Sequence, residues 1–112
     1  MDVRRINKDF AVSDQLTAKD IAQAHAMGYA TILCMRPDGE DPAQPLFESI
    51  ASAAADTRIA ASYLPVPAAG PGAAEIEAFA DIYPKLPKPV LAYCRSGARA
   101  LTTYQRAFPG DA

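Results

Sequence analysis

Six residues near the carboxyl end of the chain have types and spacing that could do chemistry: Cys94-Arg95-Ser96-Gly97-Ala98-Arg99. They follow the apolar run Pro89-Val90-Leu91-Ala92-Tyr93 and lead into a stretch from Ala98 that reads as a helix. A cysteine held between a buried strand and a helix N-terminus meets partial positive charge from the helix. Gly97 lets the backbone curl without a Cβ clash, so successive N–H groups can converge as an anion nest. Arg95 and Arg99 add full positive charges. Each of these features favours thiolate over thiol, and the thiolate is the nucleophile. The cup formed by Arg95, Ser96, Gly97 and Ala98, closed by Arg99, would also hold a small anionic substrate. The structural alternative is a small buried cysteine flanked by solvated arginines.

Two other groups bear on that cup. Arg36-Pro37-Asp38-Gly39-Glu40-Asp41 follows an apolar run, so Arg36 or Asp38 could border the site, with Asp38 as the substitute acid. The same residues equally make a Pro-Asp-Gly turn with Arg36 paired locally. Cys34 could resolve an oxidised Cys94, or be a core residue of its strand. His25 is too far along the chain from any loop at the site to be given a role.

Composition narrows the field. The chain has 112 residues, 50% apolar and 21% charged, enough to bury one core without disulfides or a structural metal. Residues 1–112 read as a single domain. A net charge of −2 with no basic stripe argues against nucleic acid as a partner. The 2 cysteines are too few for a disulfide scaffold or a cysteine-rich zinc site, and the 1 histidine excludes multi-histidine metal sites. Neither metal nor cofactor is expected. Met1 to Asp9 is charged and unlike a signal peptide, and the uncharged run Ile59–Ala74 is broken by Pro65, Pro67 and Pro71. The expectation is a cytoplasmic protein with free thiols and no membrane partner.

The elements that must position these residues follow from periodicity. Val3–Ile6 and Phe10–Ser13 read as short strands. Thr17 reads as an N-cap with Asp20 three residues on, and Gly28 as the left-handed residue that ends the helix. Tyr29–Met35 is a strand buried on both faces. Pro45 opens a second helix with Phe47, Ile50, Ala51 and Ala54 inward. Ile59–Val66 reads as a second buried strand. A third helix, Ala73–Tyr83, turns Ile76, Phe79, Ala80 and Tyr83 inward. Pro89–Tyr93 is the last strand, followed by a helix from Ala98 that ends before Pro109-Gly110. This alternation predicts an α/β fold with a mostly parallel central sheet flanked by helices. Ligands of such sheets bind beyond the carboxyl ends of the strands. Three loops are expected there: Arg36–Pro45, Pro67–Gly72 and Cys94–Gly97.

Cys94-Arg95-Ser96-Gly97-Ala98-Arg99 resembles the six-residue loop of single-domain rhodaneses. It is also similar to the Cys-x5-Arg loop of protein tyrosine phosphatases, one residue shorter, with Ala100 where the phosphatase arginine would stand. Phe10–Thr17 and Gly28–Leu33 look like the opening of dual-specificity phosphatases. Arg36-Pro37-Asp38-Gly39-Glu40, Leu64-Pro65-Val66-Pro67 and Ala92–Gly97 together look like the phosphatase-like domain of β-lactamase-hydrolase-like proteins. That family occurs alone or fused to sulfur dioxygenases of the metallo-β-lactamase fold.

The resemblance implies a single-domain tyrosine-phosphatase-like fold and functional coupling to a sulfur dioxygenase. It implies one of two activities on a small anionic sulfur or phosphate substrate. One is sulfur transfer through a Cys94 persulfide. The other is phosphoester hydrolysis through a phosphocysteine. The Pro67–Gly72 loop holds no acid, Tyr93 replaces the usual histidine before the nucleophile, and Ala100 replaces a hydroxyl after the arginine. On leaving-group chemistry these departures favour sulfurtransferase. An inactive anion-binding module is the non-enzyme alternative.

Overall fold

Four strands of this chain run side by side because their connections are long enough to cross back over the sheet. The computed structural model describes residues 1–111. It contains β1 (Arg4–Arg5), β2 (Phe10–Ser13), α1 (Ala18–Ala26), β3 (Thr31–Cys34), α2 (Phe47–Thr57), β4 (Ala60–Tyr63), α3 (Ala73–Ile82), a 3-10 turn (Tyr83–Lys85), β5 (Val90–Tyr93) and α4 (Ala98–Ala107). The sheet order is β1-β2-β5-β3-β4. β2, β5, β3 and β4 are mutually parallel, and only β1 is antiparallel, to β2. The register sets Ser13 and Cys34 beside Tyr93, so the residues that follow all emerge at one end of the sheet.

The two-residue period of the strands divides the interior into two cores. Phe10, Val12, Leu33, Met35, Val90, Ala92 and Cys94 face α3 and α4, where Phe79 and Tyr104 meet them. Ala11, Ile32, Cys34, Leu91 and Tyr93 face α1 and α2, against Ile21, Ala24, Ile50 and Ala54. The first core is aromatic: Phe10 stacks on Tyr104 at 4.2 Å and Phe79 on Tyr83 at 5.3 Å, with edge-on contacts between the pairs. At the start of α1 the Thr17 N–H donates to the Asp20 carboxylate at 2.8 Å. Gly28, at φ 95°, turns the chain out of the helix.

Four expectations need correction. Ile59–Val66 is not a strand buried on both faces: β4 is a four-residue edge strand, half-exposed, and burial falls instead on the flanking Ile59, Leu64 and Val66. Its apolar composition reflects those flanks. Pro45 does not open α2, which begins at Phe47, where the Asp38 carboxylate accepts the Phe47 N–H at 2.9 Å. α3 ends at Ile82 rather than Tyr83: Tyr83 is turned inward and buried as expected but falls in the 3-10 turn, beside fully buried Phe79 and half-buried Ile76 and Ala80. Finally, a fourth loop, from Asp14 to Leu16, leaves the carboxyl edge after β2. The pairing that brings it there, β2 beside β5, spans 80 residues of sequence, beyond the reach of local periodicity.

Replacing Phe79 by Ala would empty the centre of the aromatic core. The expected cost is about 3–5 kcal/mol, read as a lower urea midpoint with an unchanged slope. A loss under about 1 kcal/mol would mean that the helices on this face are not packed as described.

Candidate functional site

β5 delivers Cys94 to the carboxyl edge of the sheet, fully buried under the loop that follows it. The Gly97 N–H donates to the Cys94 Sγ at 3.1 Å. Gly97 reaches that position at φ 97°, and a Cβ there would lie 2.9 Å from Arg4 Nη2 and 3.3 Å from the Ser13 carbonyl oxygen. The dihedral requires glycine, and the Ser13 carbonyl would have to give slightly to admit a Cβ, whereas the Arg4 side chain could swing aside. The β2 loop holds the far side: the Cys94 N–H donates to the Ser13 carbonyl at 3.4 Å, and the Gln15 N–H to the Arg95 carbonyl at 3.2 Å. The Ala98 N–H, first of α4, donates to Ser96 Oγ at 3.3 Å. Ala100 is buried one residue beyond Arg99.

Arg99 rises from the first turn of α4 and is largely buried. Its Nη1 donates to the Glu40 carboxylate at 2.7 Å and to the Val66 carbonyl at 2.9 Å, and its Nη2 donates to the other Glu40 oxygen at 2.9 Å. This end-on fork uses three of the five N–H donors of a guanidinium. The Nε–H and the second Nη2–H remain, and together they form the other bidentate edge of the group. Arg36, also buried, donates from Nε to the same Glu40 at 2.9 Å and from Nη1 to the Gln15 side-chain oxygen at 3.0 Å. Glu40 is therefore shared between two guanidiniums. The hydrogen bonds from Arg99 first, and then those from Arg36, lower its pKa from 4.5 to about 2 despite partial burial. Arg99 is in turn held more firmly protonated by Glu40.

Gln15, Arg36, Glu40, Val66 and Arg99 thus join all four carboxyl-edge loops. Above them opens a cleft of about 420 Å³ lined by Arg36, Glu40, Asp41, Ala68, Arg95, Ser96, Ala98 and Arg99. Arg36, Arg95, Ser96, Ala98 and Arg99 line this cleft, while Cys94 and Gly97 lie buried beneath the loop that forms its floor. Asp38 does not join them: its carboxylate caps α2, and its N–H donates to the Tyr63 hydroxyl at 3.0 Å. Its turn position, which suggested a border residue, points it away from the cleft. Asp41 lines the cleft instead, with one oxygen accepting the Ala43 N–H at 2.9 Å.

Cys34 lies in the core of the opposite sheet face from Cys94, its Sγ 3.4 Å from the Arg36 carbonyl oxygen, and burial pushes its thiol pKa up. With the sheet between them, Cys34 cannot resolve Cys94. Glu40 and Gln15 were not singled out from sequence. The signals for Glu40 are its place at the end of the Arg36-Pro37-Asp38-Gly39-Glu40 motif and its spacing of four from Arg36; no spacing rule gives Gln15 a role. Among the described residues no three His, Cys, Asp or Glu side chains are grouped to hold a metal, and no helix is long and apolar enough to cross a membrane.

The family model "Beta-lactamase hydrolase-like protein, phosphatase-like domain" matches residues 2–108. A β-lactamase hydrolase-like protein of Agrobacterium fabrum is 35% identical over 100 residues, covering 89% of this chain and 23% of that protein. The chain thus spans about a quarter of that relative's length. A candidate phosphatase from Neisseria meningitidis has the same fold with a TM-score of 0.84 and 32% identity, over 95% of this chain and 77% of that one. Tk-PTP, in a mutant form, matches with a TM-score of 0.61 and 15% identity over 97% of this chain and 84% of its own, a likeness of fold alone. The fold is tyrosine-phosphatase-like, a mostly parallel α/β sheet with flanking helices.

The Glu40 pair makes an acid-sensitive joint. A carboxylate whose folded pKa is depressed contributes stability above its unfolded value, and that stability is lost as pH falls toward the folded value. Wild-type urea midpoints should therefore fall between pH 4.5 and about 2 more steeply than those of Glu40→Gln. Parallel midpoint–pH curves would contradict the arrangement.

Proposed function

We propose that this chain, which belongs to the phosphatase-like domain family of β-lactamase hydrolase-like proteins, is a cysteine-dependent phosphatase-like hydrolase acting through Cys94. The observation that carries the reading is the free edge of Arg99, fixed by Glu40 beside a cysteine whose Sγ accepts the Gly97 N–H. That edge matches two oxygens of a phosphoryl group in geometry and charge. The likeness to a candidate phosphatase at 32% identity supports the same reading.

In this mechanism the Cys94 thiolate attacks phosphorus and the bond to the ester oxygen breaks. Arg99 and the loop N–H groups stabilise the equatorial oxygens. The departing alkoxide takes a proton from Asp41, the cleft carboxylate that no arginine holds. Asp41 then accepts a proton from water as the water attacks phosphocysteine. The S–P bond breaks, releasing phosphate and restoring the thiolate. Glu40, locked as a carboxylate by two arginines, is not the acid.

Sulfur transfer is the second reading. Its support is the loop itself: six residues from Cys94 to Arg99, and Ala100 in place of a hydroxyl beside the thiolate. Here Cys94 would take a sulfane sulfur as a persulfide and pass it to a thiol or cyanide, with no acid required. A sulfur dioxygenase would be the fitting functional partner.

An alkyl phosphate and thiosulfate should be assayed side by side. The expected result is phosphate release that Cys94→Ser abolishes and that Asp41→Asn lowers by about 10²–10⁴-fold. Asp38→Asn should leave turnover near wild type. Sulfur transfer without phosphate release, with a dithiothreitol-labile adduct of one sulfur mass on Cys94, would establish the second reading instead.

A further inference from the structure

Three arginines line the cleft, but they are not equivalent. Arg36 and Arg99 share one carboxylate, and Arg36 is almost fully enclosed. Arg95 is exposed and, among the described residues, its guanidinium makes no hydrogen bond or ion pair. Its backbone is nevertheless fixed: the Arg95 carbonyl accepts the Gln15 N–H, and the residue directly follows the buried Cys94. A free guanidinium on a fixed loop beside the thiolate differs from an arginine on a mobile surface segment.

The walls add a second observation. The lining residues include no aromatic side chain among those described, and the wall from the Val66–Gly72 segment contributes only Ala68. An aryl phosphate would find no ring to stack against. The cleft's 420 Å³ exceeds what one tetrahedral oxyanion fills. The same lining carries Arg95, Ser96 and Ala98 from the loop, together with Asp41 and Ala68.

We infer that Arg95 is a specificity-determining residue that pairs with a second anionic group of a small, non-aromatic substrate. Arg99 takes the transferring group and Arg95 a carboxylate or second phosphoryl a few bonds away. This rests on the hydrolase reading for the nature of the first group, but the pairing depends only on the charge and shape of the cleft. A bidentate guanidinium–carboxylate contact in a partly desolvated cleft favours a two-anion ligand over its one-anion analogue by about 10–100-fold.

The test compares 2-phosphoglycolate with ethyl phosphate, molecules of similar size that differ by one carboxylate. Wild-type kcat/KM should be about 10–100-fold higher for 2-phosphoglycolate, carried mainly by KM, and Arg95→Gln should collapse that ratio toward one. Arg95→Lys should restore part of it. Calorimetric binding of both compounds to Cys94→Ser, with and without Arg95→Gln, gives the same comparison without chemistry. If neither compound is hydrolysed but the binding preference is present and requires Arg95, the hydrolase reading falls and this inference stands. If both are hydrolysed at equal efficiency, or the ratio survives Arg95→Gln, the inference is wrong and the hydrolase reading stands. No preference in either assay overturns the inference.

Discussion

One carboxylate organises this edge of the molecule. Glu40 accepts from Arg36 and Arg99 at 2.7–2.9 Å, and both guanidiniums are largely removed from water. Two cations brought this close would repel each other and lose their hydration; the shared anion offsets both effects. Gln15 and the Val66 carbonyl then satisfy further donors. The carboxylate is thus the point at which the loops after β2, β3 and β4 and the start of α4 become one rigid unit. Arg99 leaves this unit with a single unoccupied edge, so its orientation is set before any ligand arrives. That is preorganisation in the sense that matters for stabilising developing charge.

The parallel sheet makes the arrangement available. Antiparallel strands would send alternate loops to opposite ends, whereas β2, β5, β3 and β4 present every loop on one edge. β5 is central, so the residue after it emerges with loops on both sides. Cys94 emerges between the end of β2, at Ser13 with Gln15 just beyond it, and the Met35–Arg36 segment that follows β3. The chain spends its most extensive aromatic packing, Phe10 with Phe79, Tyr83 and Tyr104, under this strand on the α3–α4 side. A strand that must hold a reactive loop at fixed depth is seated on a core with little freedom to relax.

Much of this was legible in the residues. Buried runs such as Tyr29–Met35, the left-handed Gly28 and the strand-cysteine-glycine-helix order of 93–98 follow from local sterics and periodicity. They gave the parallel order of β3, β4 and β5. What escaped was non-local. The partner of Arg99 lies 59 residues away and that of Arg36 on the β2 side lies 21 residues away. No spacing rule links Gln15 to Arg36. β4 misled because an edge strand with buried flanks has the same composition as a central one. Asp38 misled in the opposite direction: its side chain caps α2, and the neighbouring Asp41 takes its place at the cleft.

The three acids of the Arg36–Asp41 loop show how position divides labour among identical groups. Asp38 is consumed by a helix N-terminus, where a carboxylate satisfies an otherwise orphan N–H. Glu40 is consumed by two arginines and fixed in its charged form. Asp41, next in sequence, faces the cleft with one oxygen held by the Ala43 N–H and the other uncommitted among the described residues. A reaction that expels an alkoxide needs a carboxyl able to give up a proton and recover it, which a doubly ion-paired group cannot do. A reaction that expels a sulfur anion needs none. The fold therefore separates the two chemistries at a single residue: Asp41 has a catalytic use only if the leaving group is an oxygen base.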